Sequence, residues 1–532
     1  MKKKYLMGMC IAILAVHMVL IIFWGMQKKG FHEDEYYSYF SSAGYLDVSP
    51  YGPIMEKSGY DVQRQFLVTD ANRFNYSAVV EAQSKDVHPP LFYLTLNTLM
   101  SLFANRFYKW FGIGLNAVYS LISCCGIIIL ILNLDRSRYR CMLAGIAGLA
   151  YAISPAMISN VMFTRMYTMS AMWTIIYANI FVVLMRNLRC PRRKFIGLAA
   201  AGGVVCYLSF LTHYFCLIMA FFLTLGACIH AVARRKGIVR MLGYGITMVV
   251  AIGLAVLTFP ASIGHIFQGY RGQGAIQGLS NGDFFGMLRM FSPIIDKNFF
   301  GGLMVLALIM LGIAVTVGIF FTARRRKSGI PTTYIWTVAI ILSGGMLSVW
   351  VLSRVSLYVG DVSSRFFYPV GAVLIPVMAY CISKAGVLVW EEWFSGRKFW
   401  PVGILLAAAA LFWNIAGQVQ GNILFLYRDE EARVEYSKKN AQYPVVVVYG
   451  YDIRYRAWYV ANELWPFDRV VYVNYNGGEY LLDNETLKTA EKLIIYMDCP
   501  EDILESLIAQ NDNLNTYSMV RHDQFFYIYE VE

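Results

Sequence analysis

Eleven long apolar stretches limit what this chain can fold into. They fall near residues 5–26, 111–132, 141–160, 166–185, 195–212, 214–233, 241–260, 299–321, 332–353, 366–385 and 400–416. A helix needs about 20 mainly apolar residues to cross a bilayer. Backbone polar groups in lipid must also be satisfied internally, which leaves helices or closed barrels. Hydrophobic residues make up 58% of the 532. The sequence therefore predicts a mainly α, polytopic transmembrane helical bundle of about 11–13 spans.

The net charge of +12 could suggest a nucleic-acid partner, but its distribution argues against one. Basic residues cluster at Lys2-Lys3-Lys4, at Arg136/Arg138/Arg140, from Arg186 to Lys194, at Arg234-Arg235-Lys236, from Arg324 to Lys327 and at Arg397-Lys398. Each cluster lies at the edge of an apolar stretch, where positive charge marks the cytoplasmic side. The amino terminus is then inside. The first loop (27–90), the turns near Arg165, His213 and Arg365, the loop 261–298 and everything after 417 are outside. Leu91 to Ala104 is also apolar, but a full crossing there would invert every later loop, so we read it as a partial or interfacial helix. Met1 to Met26 has the basic start of a signal peptide, but its apolar run is too long and no small-residue cleavage site follows, so it reads as a retained first span. The ten cysteines lie mostly within spans and imply no disulfide framework.

The first outer loop opens with Phe31-His32-Glu33-Asp34-Glu35-Tyr36-Tyr37 and closes with Asp86-Val87-His88-Pro89-Pro90-Leu91. Acids at the edge of a span point to a site facing water or a partner. The paired prolines hold His88 at a helix entrance, since proline suits a first helical turn but not the residues before it. The loop is rich in aromatics, from Tyr36 to Tyr76, and we expect short helices lying along the membrane surface with most of these rings in an interfacial belt.

A first helix followed by an outer loop that opens with Asp34-Glu35 and closes with His88-Pro89-Pro90-Leu91 resembles the GT-C superfamily of membrane glycosyltransferases. The nearest branch contains protein O-mannosyltransferases, lipid A aminoarabinose transferases and RgtA-B-C-D-like bacterial transferases. The resemblance covers roughly residues 1–385. Met162-Phe163-Thr164-Arg165-Met166-Tyr167 is similar to the family's Glu-Ala-Arg-Met-Tyr segment, with Phe163 at the glutamate position. Ser363-Ser364-Arg365-Phe366-Phe367-Tyr368-Pro369 is similar to its Arg-aromatic-Pro segment, where the basic residue is thought to meet a lipid phosphate. Thr212-His213-Tyr214 lies at another outer turn. The loop 261–298, with Arg271-Gly272-Gln273-Gly274 and Asn281-Gly282-Asp283, suits a mobile lid.

After 417 the composition changes. Residues 422–532 hold ten Lys+Arg and nineteen Asp+Glu, a net charge of −9. Strand-like runs at Pro444–Tyr449, Val470–Asn474, Lys492–Met497 and near Gln524–Val531 alternate with helical stretches at Ile453–Ala461 and Glu501–Gln510. This predicts a small extracytoplasmic α/β domain at 417–532 beside a transmembrane glycosyltransferase domain at 1–416. It carries no nucleophile elbow, dinucleotide fingerprint or zinc motif.

No cytoplasmic segment is long enough for a nucleotide-binding domain, so a donor arriving through the membrane fits better than a nucleotide sugar. The resemblance implies the same class, a polyprenyl-phosphate-linked sugar, with a glycan, lipid or protein acceptor. By the same resemblance Asp34 is the expected base, and Glu35 shares the proton, orients the acceptor or helps hold a divalent ion, for which no dedicated ligand set is visible. Arg165 and Arg365 are the expected phosphate ligands, because guanidinium matches phosphate oxygens in pairs. His88 is a further phosphate or acid contact, and Tyr167, His213, Tyr214 and Arg271 are substrate contacts. The competing function is a transporter or flippase of lipid-linked saccharides. It would share the spans, but here no internal repeat is evident and the polar residues gather toward one side.

Overall fold

The structure, a computed structural model, describes residues 2–47, 50, 54–188, 190–235, 237–325, 332–356, 359–393, 414, 416–475, 484–498, 501–509, 511–523 and 525–532. Among these, nine helices are long and apolar enough to cross a membrane: Lys4–Gln27, Lys109–Leu134, Tyr167–Arg186, Arg192–Thr212, Cys216–Ala233, Ile238–Thr258, Met304–Phe321, Tyr334–Val355 and Asp361–Trp393. Arg140–Ala152 and Pro155–Met162, bent by 50° at the break between them, make a tenth if counted as one span. Pro155 begins the second piece, where its fixed backbone angle suits a first turn. These elements match the first ten apolar stretches of the sequence. The eleventh, 400–416, lies almost wholly outside the described residues. The chain is a multi-pass membrane protein. Leu91–Leu102 forms a helix of 12 residues, about 18 Å long and so too short to span the roughly 30 Å hydrocarbon layer.

The chain divides into two compact units. The first comprises Met1–Gly25, Gln83–Phe92 and Gly112–Leu424, and the second comprises Met26–Ala82, Tyr93–Phe111 and Phe425–Glu532.

The first unit is the helical bundle. Its helices approach closely where small residues meet side chains: a Cβ on Gly202 would meet the Tyr244 hydroxyl at 2.6 Å, and one on Gly345 would meet Leu374 at 2.4 Å. Some of the polar groups inside it are paired across helices. His17, fully buried in the first helix, lies 2.6 Å from the Ala152 carbonyl and 2.8 Å from the Ser120 hydroxyl. Asp135 accepts from Lys384 at 2.8 Å and from the Tyr380 hydroxyl at 3.1 Å. Outward-facing Val249, Leu257 and Ile309 are exposed, as a lipid-facing surface requires.

The second unit is built on a six-stranded sheet of order β1-β3-β2-β4-β6-β5, with β1 Ile54–Lys57, β2 Val445–Tyr449, β3 Val470–Asn474, β4 Leu493–Met497, β5 Tyr517–His522 and β6 Tyr527–Val531. The adjacent strands β3, β2 and β4 are parallel, and their Val- and Ile-rich runs are buried on both faces, as parallel strands demand. The four expected strand runs contain β2, β3, β4 and β6. The sequence reading missed β1, which comes from the first loop and pairs antiparallel with β3, and it missed β5.

The aromatics of the first loop differ from the expected interfacial belt. Tyr36, Tyr39, Phe40 and Phe66 are buried in the second unit. Tyr36 packs on Phe66 with ring centroids 4.9 Å apart, and Trp458 packs on Phe40 at 4.9 Å and Phe66 at 5.3 Å. Only some rings of the loop, among them Tyr60, Phe74 and Tyr76, are exposed. The loop is a folded element, and its rings pack on one another and on Trp458 inside the sheet-bearing unit.

The segment 261–298 is also more ordered than its glycines suggest. It forms helices Ala261–Phe267, Tyr270–Ser280 and Gly286–Ile295. Buried Arg354 donates to the carbonyls of Leu279 at 2.8 Å and Asp283 at 3.2 Å, and its guanidinium lies 5.1 Å from the Phe284 ring. One arginine thereby satisfies carbonyls that the end of a helix leaves open.

Candidate active site

In the first unit the turns that carry His88, Arg165, His213 and Arg365 meet. Phe163 ends the helix Pro155–Met162 in extended conformation, and two residues later Arg165 points back into the bundle with 3% exposure. Its Nη2 lies 3.4 Å from both ring nitrogens of His88. His88 Nδ1 is 3.0 Å from Asp86 Oδ2. With that nitrogen donating to the carboxylate, Nε2 keeps a lone pair for Arg165. Burial raises the Asp86 carboxyl, but His88 and then Arg165 outweigh it and hold the group below the usual carboxylate range.

His213 follows the helix Arg192–Thr212, 5.9 Å from His88 and 5.4 Å from Tyr167 between ring centroids. Burial first, and then the neighbouring His88 and the charges of Arg165, Arg271 and Arg365, push its pKa well below the ordinary value. The ring is therefore neutral near pH 7. Its Nδ1 accepts the Phe215 N–H at 3.1 Å, so the proton sits on Nε2, which is a donor. Tyr167 stacks on Phe163, with centroids 6.0 Å apart and planes 12° from parallel. Arg365 stands over Phe163 at 5.6 Å and over Phe366 at 5.1 Å. At the position where the resembling family carries an acid, this chain thus gives Arg365 an aromatic face.

Tyr214 and Arg271 lie on the rim of this group. The Tyr214 hydroxyl donates to His265 Nδ1 at 3.0 Å, and His265 Nε2 donates to the Ser84 carbonyl at 3.3 Å. Both roles require a neutral His265, in keeping with the downward push of burial on that ring. Arg271 Nε donates to the Tyr270 hydroxyl at 3.1 Å. The sequence reading singled out neither Asp86 as the partner of His88 nor His265 as the partner of Tyr214. The Asp-x-His spacing of the first pair was a usable signal, but the second pair is 51 residues apart. Arg165, Arg271 and Arg365 all lie close enough to act on the His213 ring, and with its imidazole N–H they make a set of donors of the kind that holds an anion.

Asp34 and Glu35 belong to the second unit. They sit in the first turn of the helix Glu33–Ser42, whose N-cap is His32. The Asp34 N–H donates to His32 Nδ1 at 3.1 Å and the His32 N–H donates to Glu35 at 2.9 Å, a reciprocal cap that places three acids at the positive end of the helix dipole. The two acids then part company. Glu35 is fully buried and accepts from the equally buried Lys28 at 2.9 Å, while Lys28 also donates to the Phe425 carbonyl at 2.7 Å. Asp34 keeps 20% of its side chain exposed, with His32 Nδ1 at 3.6 Å. Of the pair, Asp34 is the carboxylate open to solvent and Glu35 the one that fixes the turn.

Among the described residues no group of three or more His, Cys, Asp or Glu is placed to hold a metal ion. The Glu35 carboxylate, one of the two acids the sequence offered to a cation, already faces the Lys28 ammonium.

No protein-family model matches the sequence, and no curated protein matches it either. Solved structures do match the fold. ArnT from Cupriavidus metallidurans, bound to undecaprenyl phosphate, aligns over 98% of both chains with a TM-score of 0.53 and 13% identity. The archaeal oligosaccharyltransferase AglB from Archaeoglobus fulgidus, in complex with an inhibitory peptide and a dolichol-phosphate, aligns over 96% of this chain and 72% of its own, with a TM-score of 0.54 and 11% identity. Both are GT-C glycosyltransferases.

The chain has the GT-C fold. At such identities the likeness speaks for the fold alone, and the chemistry of a GT-C protein has to be argued from its own side chains.

Proposed function

We propose that this GT-C protein is an integral-membrane glycosyltransferase. It moves a sugar from a polyprenyl-phosphate-linked donor to an acceptor hydroxyl on the outer face of the membrane, in the building or modification of a cell-envelope glycan, glycolipid or protein. The observation that carries the reading is the cluster of Arg165, Arg365, His88 and His213 inside the helical bundle of the first unit. Guanidinium groups match phosphate oxygens in pairs, and a lipid phosphate brings such an anion together with a tail that partitions into the same bilayer. The bound undecaprenyl phosphate and dolichol-phosphate of the two similar structures support that donor class.

In the reaction, the acceptor oxygen attacks the anomeric carbon. The bond from that carbon to the phosphate oxygen breaks, and polyprenyl phosphate leaves. Asp34 takes the acceptor proton as general base. Arg165 and Arg365 hold the phosphate as its charge grows, and the His213 N–H adds a donor. His88, tethered by Asp86, positions Arg165. Glu35 is a positioning residue that holds the turn bearing Asp34 through Lys28. A single displacement inverts the anomeric configuration. The basic clusters between the spans support an amino terminus in the cytoplasm and residues 417–532 outside.

The donor site is tested by binding of undecaprenyl phosphate to the purified full-length protein in detergent. Arg165→Gln should weaken binding about ten- to a hundredfold, the scale of one lost charge-assisted pair, whereas Asp34→Asn should bind as the wild type does. Equal binding by wild type and Arg165→Gln would remove Arg165 from the site.

A further inference from the structure

The second unit holds a polar and aromatic group that the donor chemistry does not use. In an open sheet with parallel strands, ligands settle at the carboxyl ends of the strands, where successive connections leave toward opposite faces. β2 continues into the 3-10 helix Tyr451–Val460, whose Ala457 and Val460 cover one face. β4 continues into Glu501–Ile508, whose Leu504 covers the other. Between these departures stand Asp498, directly after β4, Arg456 and Tyr459 from the 3-10 helix, and Phe525 from the turn between β5 and β6.

The Tyr459 and Phe525 rings lie 4.3 Å apart at 41°. The Arg456 guanidinium stands 5.4 Å from the Phe525 ring and its Nη1 is 3.5 Å from Asp498 Oδ2. The Asp498 side chain is 1% exposed, yet its Oδ1 has no hydrogen-bond partner among the described residues. Burial holds that carboxyl above its usual range against the pull of Arg456. A buried acceptor left open in this way calls for a ligand. On the other side of the group, the Tyr459 hydroxyl donates to Glu33, the neighbour of Asp34.

The ligand chemistry follows from the set. A half-buried pair of rings suits the apolar C–H face of a pyranose, and a guanidinium beside a carboxylate suits adjacent hydroxyls, one accepting and one donating. A lipid tail would have no use for Arg456 and Asp498. We propose that Tyr459, Phe525, Arg456 and Asp498 form the acceptor subsite and that the acceptor is a saccharide, its sugar lying on the two rings with hydroxyls on Arg456 and Asp498. The word acceptor rests on the transferase reading above. The saccharide site does not.

The test is calorimetric titration of the full-length protein in detergent with chitin, glucan and galactan hexasaccharides and with a Ser/Thr-rich dodecapeptide. A hexasaccharide should bind. Affinity should fall about tenfold or more in Tyr459→Ala and Phe525→Ala, the scale of a lost aromatic platform. Tyr459→Phe, which keeps the ring, should bind close to wild type and serves as the folding control. The proposal is overturned if no hexasaccharide binds, if binding survives in both alanine variants, or if the peptide binds in their place. Undecaprenyl phosphate binding without saccharide binding leaves the transferase reading standing and removes this subsite. Saccharide binding without lipid-phosphate binding does the reverse.

Discussion

At the scale of single residues, Lys28 and Glu35 form a fully buried ion pair, so taking away one partner removes the opposite charge that faces the other. Lys28→Met should lower stability by about 3–5 kcal/mol, and Lys28→Met with Glu35→Gln should recover part of that loss. Thermal melts of the two variants in the same detergent check this, and an unchanged melt for Lys28→Met would show the pair to be dispensable. A second buried acid gives a pH signature. Glu430 is 4% exposed and accepts from Asn462 at 2.6 Å. Its carboxylate also occupies the place a Cβ on Gly30 would take. Burial raises its pKa from 4.5 to about 8, against the pulls of Asn462, Arg433 and Lys28 and with a push from Glu463. A carboxyl with a raised folded pKa stabilises the fold fully below its unfolded pKa and loses that contribution as pH rises toward the folded one. The wild type should therefore lose stability relative to Glu430→Gln between about pH 4.5 and pH 8, by up to about 1.4 kcal/mol per pH unit. Parallel pH–melting curves for the two proteins would contradict it. Residues such as His88 could be read in sequence because Pro89 and Pro90 restrict the chain around them. The role of Glu35 could not, since its partner Lys28 is itself held by the Phe425 carbonyl, almost four hundred residues away.

At the scale of elements, the donor cluster depends on how closely the helix Lys109–Leu134 approaches the turn that carries Arg165. Gly112 permits that approach, because a Cβ there would lie 2.1 Å from the Thr164 side chain. Gly112→Ala has to displace Thr164 and with it the neighbouring Arg165. Undecaprenyl phosphate affinity should fall several-fold, a shift of about 1–2 kcal/mol, while Gly114→Ala, which meets nothing within 4 Å, should leave it unchanged. Equal affinities in the two variants would show that the helix approach does not set the position of Arg165. The spans were legible because their length and apolarity are imposed by the bilayer itself. Gly272 and Gly274 suggested a mobile loop, yet they lie in the helix Tyr270–Ser280, whose end is satisfied by Arg354 from a distant helix. Local composition cannot report a cap supplied from more than 70 residues away.

At the scale of the whole molecule, the parallel core of the sheet was legible in its runs of Val and Ile, while β1 was not. Four residues, Ile54–Lys57, carry too little pattern to stand out, and their partner β3 lies beyond every span. The same long-range closure turns the aromatics of the first loop from a surface belt into a core. The two short motifs at the ends of that loop were legible as motifs, but not the separation of labour between a partly buried Asp34 and a fully buried Glu35. That separation makes the central claim testable by one substitution. The measurement is transfer of labelled sugar from polyprenyl-phosphate donors to a membrane acceptor extract by the purified protein in liposomes, wild type against Asp34→Asn. The account predicts donor-dependent labelling by the wild type and a loss of about a hundredfold or more in Asp34→Asn, the scale of a missing general base, with melting temperature and lipid-phosphate binding unchanged. Labelling that persists in Asp34→Asn would contradict the assignment of the base, and a wild type that neither transfers sugar nor binds the lipid phosphate would contradict the transferase itself.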